Sequence, residues 1–157
     1  MTDKNTLKVF KKYLKQIDEI ITKQGFVVQP VISGEDLPSY AYSIGLTDMS
    51  HPELFMTGYA PDYMQGLLND LAVKVKKGEV LPINTPYKYF ETADIMFCPV
   101  VRGQDEYLKG IKRRYDKADN VLQVVIPDEN CYWPWDPRCN PRVIDFQLLL
   151  CDEPKLN

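Results

Sequence analysis

The chain has 157 residues, 45% of them hydrophobic and 26% charged, the length and composition of one soluble globular domain with a sizeable core rather than of a disordered segment. Its formal net charge of −3 lacks the basic excess that counterion release from a duplex needs, so duplex nucleic acid is not expected as the main partner. No apolar run approaches the roughly 20 residues that cross a bilayer, and the amino-terminal region alternates charge with hydrophobes instead of forming a signal-peptide core; a cytoplasmic protein with no membrane partner is expected.

Leu7, Phe10, Leu14, Ile17 and Ile21 recur at spacings of three and four, which predicts a helix from about Asp3 to Gln24, ended by Gly25, with Lys8, Lys11, Lys12, Lys15 and Lys23 on its solvated faces. Three strands follow, Phe26 to Ser33, Ser39 to Leu46 and Leu54 to Tyr59, and their short polar links favour antiparallel pairing. Pro61 opens a second helix whose buried stripe is Met64, Leu67, Leu68, Leu71 and Val75, before Gly78 stops it.

Pro82 and Pro86 make residues 79–92 mostly loop with a short edge strand. Ile95 to Val101 reads as a strand and Asp105 to Ala118 as a third helix. Val121 to Ile126 and Asp145 to Leu150 supply two more strands, separated by PDENCYWPWDPRCNPR, whose prolines argue against regular structure. The expected fold is one α+β domain over residues 1–157, a mainly antiparallel sheet packed by about three helices.

Candidate chemistry concentrates in three places. The first is the link between two strands, where the only histidine, His51, stands two residues from Glu53. Imidazole beside carboxylate suits general acid–base work, and equally His51 and Pro52 can shape a turn through backbone hydrogen bonds. Ser43 lacks the GxSxG context of an exposed nucleophile and reads as a strand residue, while Gly45 marks a bend or a close backbone approach.

The second is the late loop, where Trp133 and Trp135 alternate with Asp128, Asp136 and Arg138. Those indoles either stack on a planar ligand or plug one end of the core. The third is KGIKRRYDK, residues 109–117, in which Arg114 is the residue best placed to turn toward an anionic ligand or a partner carboxylate. Neither GxGxxG nor GxxxxGK[ST] occurs, and the four cysteines, Cys98, Cys131, Cys139 and Cys151, form no CxxC pair. No cofactor and no metal are expected, and the thiols should be reduced.

The ordered series YSIGL, HPELFMTGY, a helix containing LLNDLA and ending at KKG, then LQVVIPD and PWDP resembles the bacterial domain of unknown function number 4262 family over about Ile17 to Leu150. The resemblance singles out Tyr42, Gly45, His51, Pro52, Glu53, Asn69, Gln123, Asp128, Pro134 and Trp135 as matching positions, and it implies no activity and no role for any of them.

Three functions compete at this level. The leading expectation is binding or sequestration of a small anionic, nucleotide-like ligand by Tyr42, Arg113, Arg114, Trp133 and Trp135, since aromatic faces and forked donors are present without a recognisable catalytic constellation. A hydrolase would use His51 as acid or base, Glu53 to orient it and Asp128 as a second carboxylate. An interaction or inhibitor module would anchor a protein partner on the Tyr- and Trp-rich loop. Homo-oligomerisation is compatible with each.

Overall fold

The computed structural model describes residues 4–34 and 37–155. The expected first helix is α1 (Lys4–Gln24); Asp3, its expected first residue, lies outside the described residues. The three early strands are β1 (Val27–Val31), β2 (Tyr40–Ile44) and β3 (Glu53–Thr57), with a 3-10 turn, Leu46–Met49, between the last two. Next come α2 (Pro61–Lys76), the two-residue edge strand β4 (Tyr87–Lys88) and β5 (Asp94–Pro99). The chain continues through α3 (Gln104–Tyr107), α4 (Lys109–Tyr115), β6 (Val121–Val125) and α5 (Pro141–Phe146).

The strands form one sheet in the order β1-β2-β3-β6-β5-β4. Every neighbouring pair is antiparallel except β3 and β6, which run parallel. That pair needs a crossover, and α2, β4, β5, α3 and α4 supply it. The result is the mostly antiparallel α+β domain that the residue pattern predicts.

The period-two alternation of the strands sends side chains to two different cores. Val28, Ala41, Leu54, Met56, Leu122, Val124 and Phe97 meet α2, whose predicted stripe of Met64, Leu67, Leu68, Leu71 and Val75 is entirely buried. Each such large side chain contributes about 1.5–3 kcal/mol against exposure, before chain entropy is set against it. On the opposite face Val27, Tyr42, Ile44, Phe55 and Val121 meet Ile17 and Ile21 of α1, Leu108, and Ile111 of α4.

The same face carries a strap made of residues 147–151. The Gln123 side chain donates to the Leu148 carbonyl at 2.8 Å and accepts the Leu150 N–H at 2.7 Å. Gln147 does the reverse service for the backbone just past β6, accepting from Ile126 N–H at 2.9 Å and donating to its carbonyl at 2.8 Å. Two buried amides thus do the pairing that a regular strand would do with its main chain.

Three local expectations are corrected. Asp145 to Leu150 is not a strand: it divides between the end of α5 and the strap, and only Val100 and Cys151 pair beyond it as an isolated antiparallel bridge. The proline-rich stretch does contain regular structure, because Pro141 stands at the first turn of α5, where no N–H is needed, and the Asn140 side chain accepts the Arg142 N–H. The helix expected over Asp105 to Ala118 is two helices, broken at Leu108 (φ −114, ψ 37), which leaves helical geometry with its side chain fully buried.

Candidate functional site

The corner between β2 and β3 is organised around a carboxylate. Glu53 is fully buried, and its Oε1 accepts from Ser43 Oγ at 2.8 Å and Leu46 N–H at 3.1 Å. Its Oε2 accepts from Gly45 N–H at 3.1 Å, Thr47 N–H at 2.9 Å and Thr47 Oγ1 at 2.7 Å. The carboxylate therefore caps the 3-10 turn from the next strand, satisfying the orphan donors at its start with a negative charge. Gly45 makes this possible at φ 124: a Cβ there would lie 2.3 Å from the Gly25 carbonyl oxygen. The close backbone approach expected at this glycine is present.

Among the described residues His51 makes no hydrogen bond to that carboxylate. Its Nδ1 is 2.8 Å from the Pro52 carbonyl, which can only accept, so Nδ1 carries the proton. Nε2 then accepts the Leu81 N–H at 3.2 Å. Both ring nitrogens of this buried side chain are engaged with backbone, and they tie the corner to the segment after α2. Asp128 sits in a different loop, where Oδ1 accepts the N–H groups of Asn130 and Tyr132 at 2.9 Å and Oδ2 accepts that of Asn140 at 2.8 Å. Among the described residues no hydrogen bond links any two of His51, Glu53 and Asp128.

The loop that Asp128 organises carries the two indoles. Trp133 and Trp135 stack on one another, centroids 5.7 Å apart and planes 13° from parallel, and pack on Met96, Cys98, Val125 and Cys151. They cover one face of β5 and β6. Trp133 also lines a cleft of about 410 Å³ together with Lys88, Glu91, Asp94 and Cys131, a wall of mixed charge.

Tyr42 and Arg113 meet elsewhere, in a cleft of about 230 Å³ between α1, β2 and α4. Its lining is mostly apolar, with Phe10, Leu14, Ile17 and Ile44, and it also includes Tyr13, Gln29, Lys109 and Arg113. The Tyr42 hydroxyl accepts the Gly110 N–H at 3.1 Å, an approach that a side chain at Gly110 would block, since its Cβ would lie 2.6 Å from that oxygen. Burial raises the Tyr42 pKa, so the phenol keeps its own proton to donate. Arg113 reaches Asp18 at 3.5 Å, and no other hydrogen bond of its guanidinium, which carries five N–H donors, is present among the described residues. Arg114 has turned toward carboxylates of the chain itself, Asp18 at 3.1 Å and Asp48 at 3.9 Å.

Of the five residues expected to bind ligand, Tyr42 and Arg113 share one cleft, Arg114 pairs with carboxylates of the chain, and the two tryptophans lie apart, over β5 and β6. The sequence reading missed the contribution of α1. Its stripe was legible, but nothing local showed that Phe10 and Leu14 would be left lining a cleft instead of filling a core.

The family model described as domain of unknown function (DUF4262) matches residues 20–140. The chain belongs to this family. The DUF4262 span contains β1 through β6 and all eight of the site residues singled out from sequence, from Tyr42 to Trp135. It begins after Phe10, Leu14 and Ile17, so one wall of the Tyr42 cleft lies outside the matched DUF4262 region. No curated protein and no solved structure matches the chain. No helix among the described residues is long and apolar enough to cross a membrane.

Proposed function

We propose that this DUF4262 domain is a binding module, and that the cleft between α1, β2 and α4 takes an anionic ligand with an apolar body. The observation that carries this reading is the pairing of a mostly apolar lining with two cationic side chains, Lys109 and Arg113, both from α4. Apolar walls with a few convergent polar groups are the usual form of a small-molecule site. Arg113 supplies forked donors to a carboxylate, sulfonate or phosphate, and Tyr42 lines the same cleft.

At about 230 Å³ the cleft is smaller than the roughly 300–1,000 Å³ usual for drug-sized ligands. A small amphipathic acid fits it better than a whole nucleotide, and the tryptophans that were to stack on a base lie elsewhere. The test is a 15N–1H NMR titration with a panel of short aliphatic and aromatic carboxylates, sulfonates and phosphate monoesters. Support is a saturable shift of the Gly110 and Lys109 amides that weakens about tenfold in Arg113→Ala, the change expected on losing roughly 1.4 kcal/mol of charge-assisted hydrogen bonding. A panel that leaves those amides unmoved at millimolar concentration removes the reading.

A further inference from the structure

We infer that the cleft is the inner end of a longer groove along α1, and that the groove receives an acidic amphipathic helix of a protein partner. The inference rests on the binding reading above and names the class of ligand for the same site.

The apolar stripe of α1 is longer than the sheet can cover. Ile17 and Ile21 are buried, whereas Leu7 and Phe10 at the other end of the same face remain 45% and 53% exposed. A helix of 21 residues draws most of its stability from packing its apolar face, so an uncovered half is a surface lacking its partner. Phe10 and Leu14 connect this exposed half to the Tyr42 cleft without interruption.

Charge selects the occupant. Residues 4–16 hold five lysines and no carboxylate, although the whole chain has a net charge of −3. Lys4, Lys11 and Lys15 follow the stripe along one flank at helical spacing, and Lys109 and Arg113 stand on the far wall. A second copy of α1 laid on the first would bring two lysine rows together. A flat bilayer cannot follow a stripe that descends between α1 and α4 to Tyr42. A helix with an apolar edge and Asp or Glu on its flanks satisfies both conditions, in the helix-in-groove mode.

The experiment uses the full chain and fluorescein-labelled peptides of about 18 residues, five helical turns, with leucines at i, i+3 and i+7. One peptide carries glutamates on its flanks and its counterpart lysines. The acidic peptide should bind at least tenfold more tightly than the basic one, weaken with added salt, and lose about tenfold in Leu7→Glu, a position outside the small cleft whose helix is checked by circular dichroism. Equal binding of the two peptides, or binding unchanged in Leu7→Glu, overturns the inference. So does a dimer in sedimentation, or adsorption to anionic phosphatidylglycerol vesicles, that Leu7→Glu abolishes while the acidic peptide fails to bind. If the small acids still shift Gly110 and the peptide fails, the partner is wrong and the binding reading stands; if both fail, both fall.

Discussion

Ser43 on β2 and Glu53 on β3 are joined by a buried hydrogen bond of 2.8 Å, and the same Ser43 oxygen accepts the Leu54 N–H at 2.8 Å. The pair locks the two strands to the turn between them, and the turn's own N–H groups converge on the carboxylate. Glu53→Ala strands several buried donors at once, each costing about 1–3 kcal/mol when left unpaired, so a loss of about 3–5 kcal/mol is expected, with Glu53→Gln intermediate. Guanidinium unfolding followed by circular dichroism measures it. A loss below about 1 kcal/mol in Glu53→Ala would contradict the capping role.

Gly45 should tolerate no side chain. Alanine at φ 124 is strained, and its Cβ would meet the Gly25 carbonyl oxygen at 2.3 Å and Phe26 Cα at 2.7 Å, both backbone atoms that cannot rotate away. Gly45→Ala is expected to cost about 3 kcal/mol or more. Gly34→Ala, where no atom among the described residues lies within 4 Å of the added methyl, is the control and should be nearly neutral. Similar unfolding midpoints for the two variants would refute the argument.

These two positions also show what a residue pattern conveys. The stripe of α2 was legible because periodicity is a local property that burial follows directly. The role of Glu53 was not, because most of its partners are backbone groups of a turn whose position depends on the register that sets Tyr42 opposite Phe55. Arg114 was expected to turn toward an anionic ligand or a carboxylate, and the residue it pairs with, Asp18, comes from α1, far away in sequence. Pro141 was read as a breaker when its missing N–H suits a helix start, a difference decided by the Asn140 cap beside it.

Alkaline stability follows from the tyrosines. Burial, then the hydrogen bond and charge of Glu79, push Tyr87 up to about 12. Burial, then the charge of Glu53 and the hydrogen bond to Asp48, do the same for Tyr115, also up to about 12. Folded pKa values above the ordinary 10.0 mean that the native state holds these protons after the unfolded chain has released them. Their contribution is therefore intact below pH 10.0 and is lost as pH rises toward about 12. Unfolding curves across that window should show falling stability, with a shallower fall in Tyr115→Phe; an identical slope in the variant would exclude Tyr115 as a contributor.

His51 is expected to matter for stability. His51→Ala leaves the Leu81 N–H and the Pro52 carbonyl without their side-chain partner in a buried corner and opens a void, for an expected loss of about 2–3 kcal/mol. Denaturant unfolding of the purified variant decides the matter. Unchanged stability would free His51 from this structural duty and return weight to an acid–base role.

Asp128 should control the environment of the tryptophans. Burial raises its pKa, but the N–H groups of Tyr132, Asn140 and Asn130 lower it by more in sum, so the carboxyl sits below the ordinary 3.8. A depressed folded pKa places its contribution above that value and removes it as pH falls below. Without those bonds the loop from Asp128 to Asn140 loses its hub, and the stacked indoles that pack on Cys98 and Cys151 become wetter. Asp128→Ala at neutral pH should therefore red-shift the tryptophan emission and increase its quenching by acrylamide, while the far-ultraviolet dichroism of the helices is kept. Emission identical to that of the unmodified protein would mean that the indole stack holds the loop without help from the carboxylate.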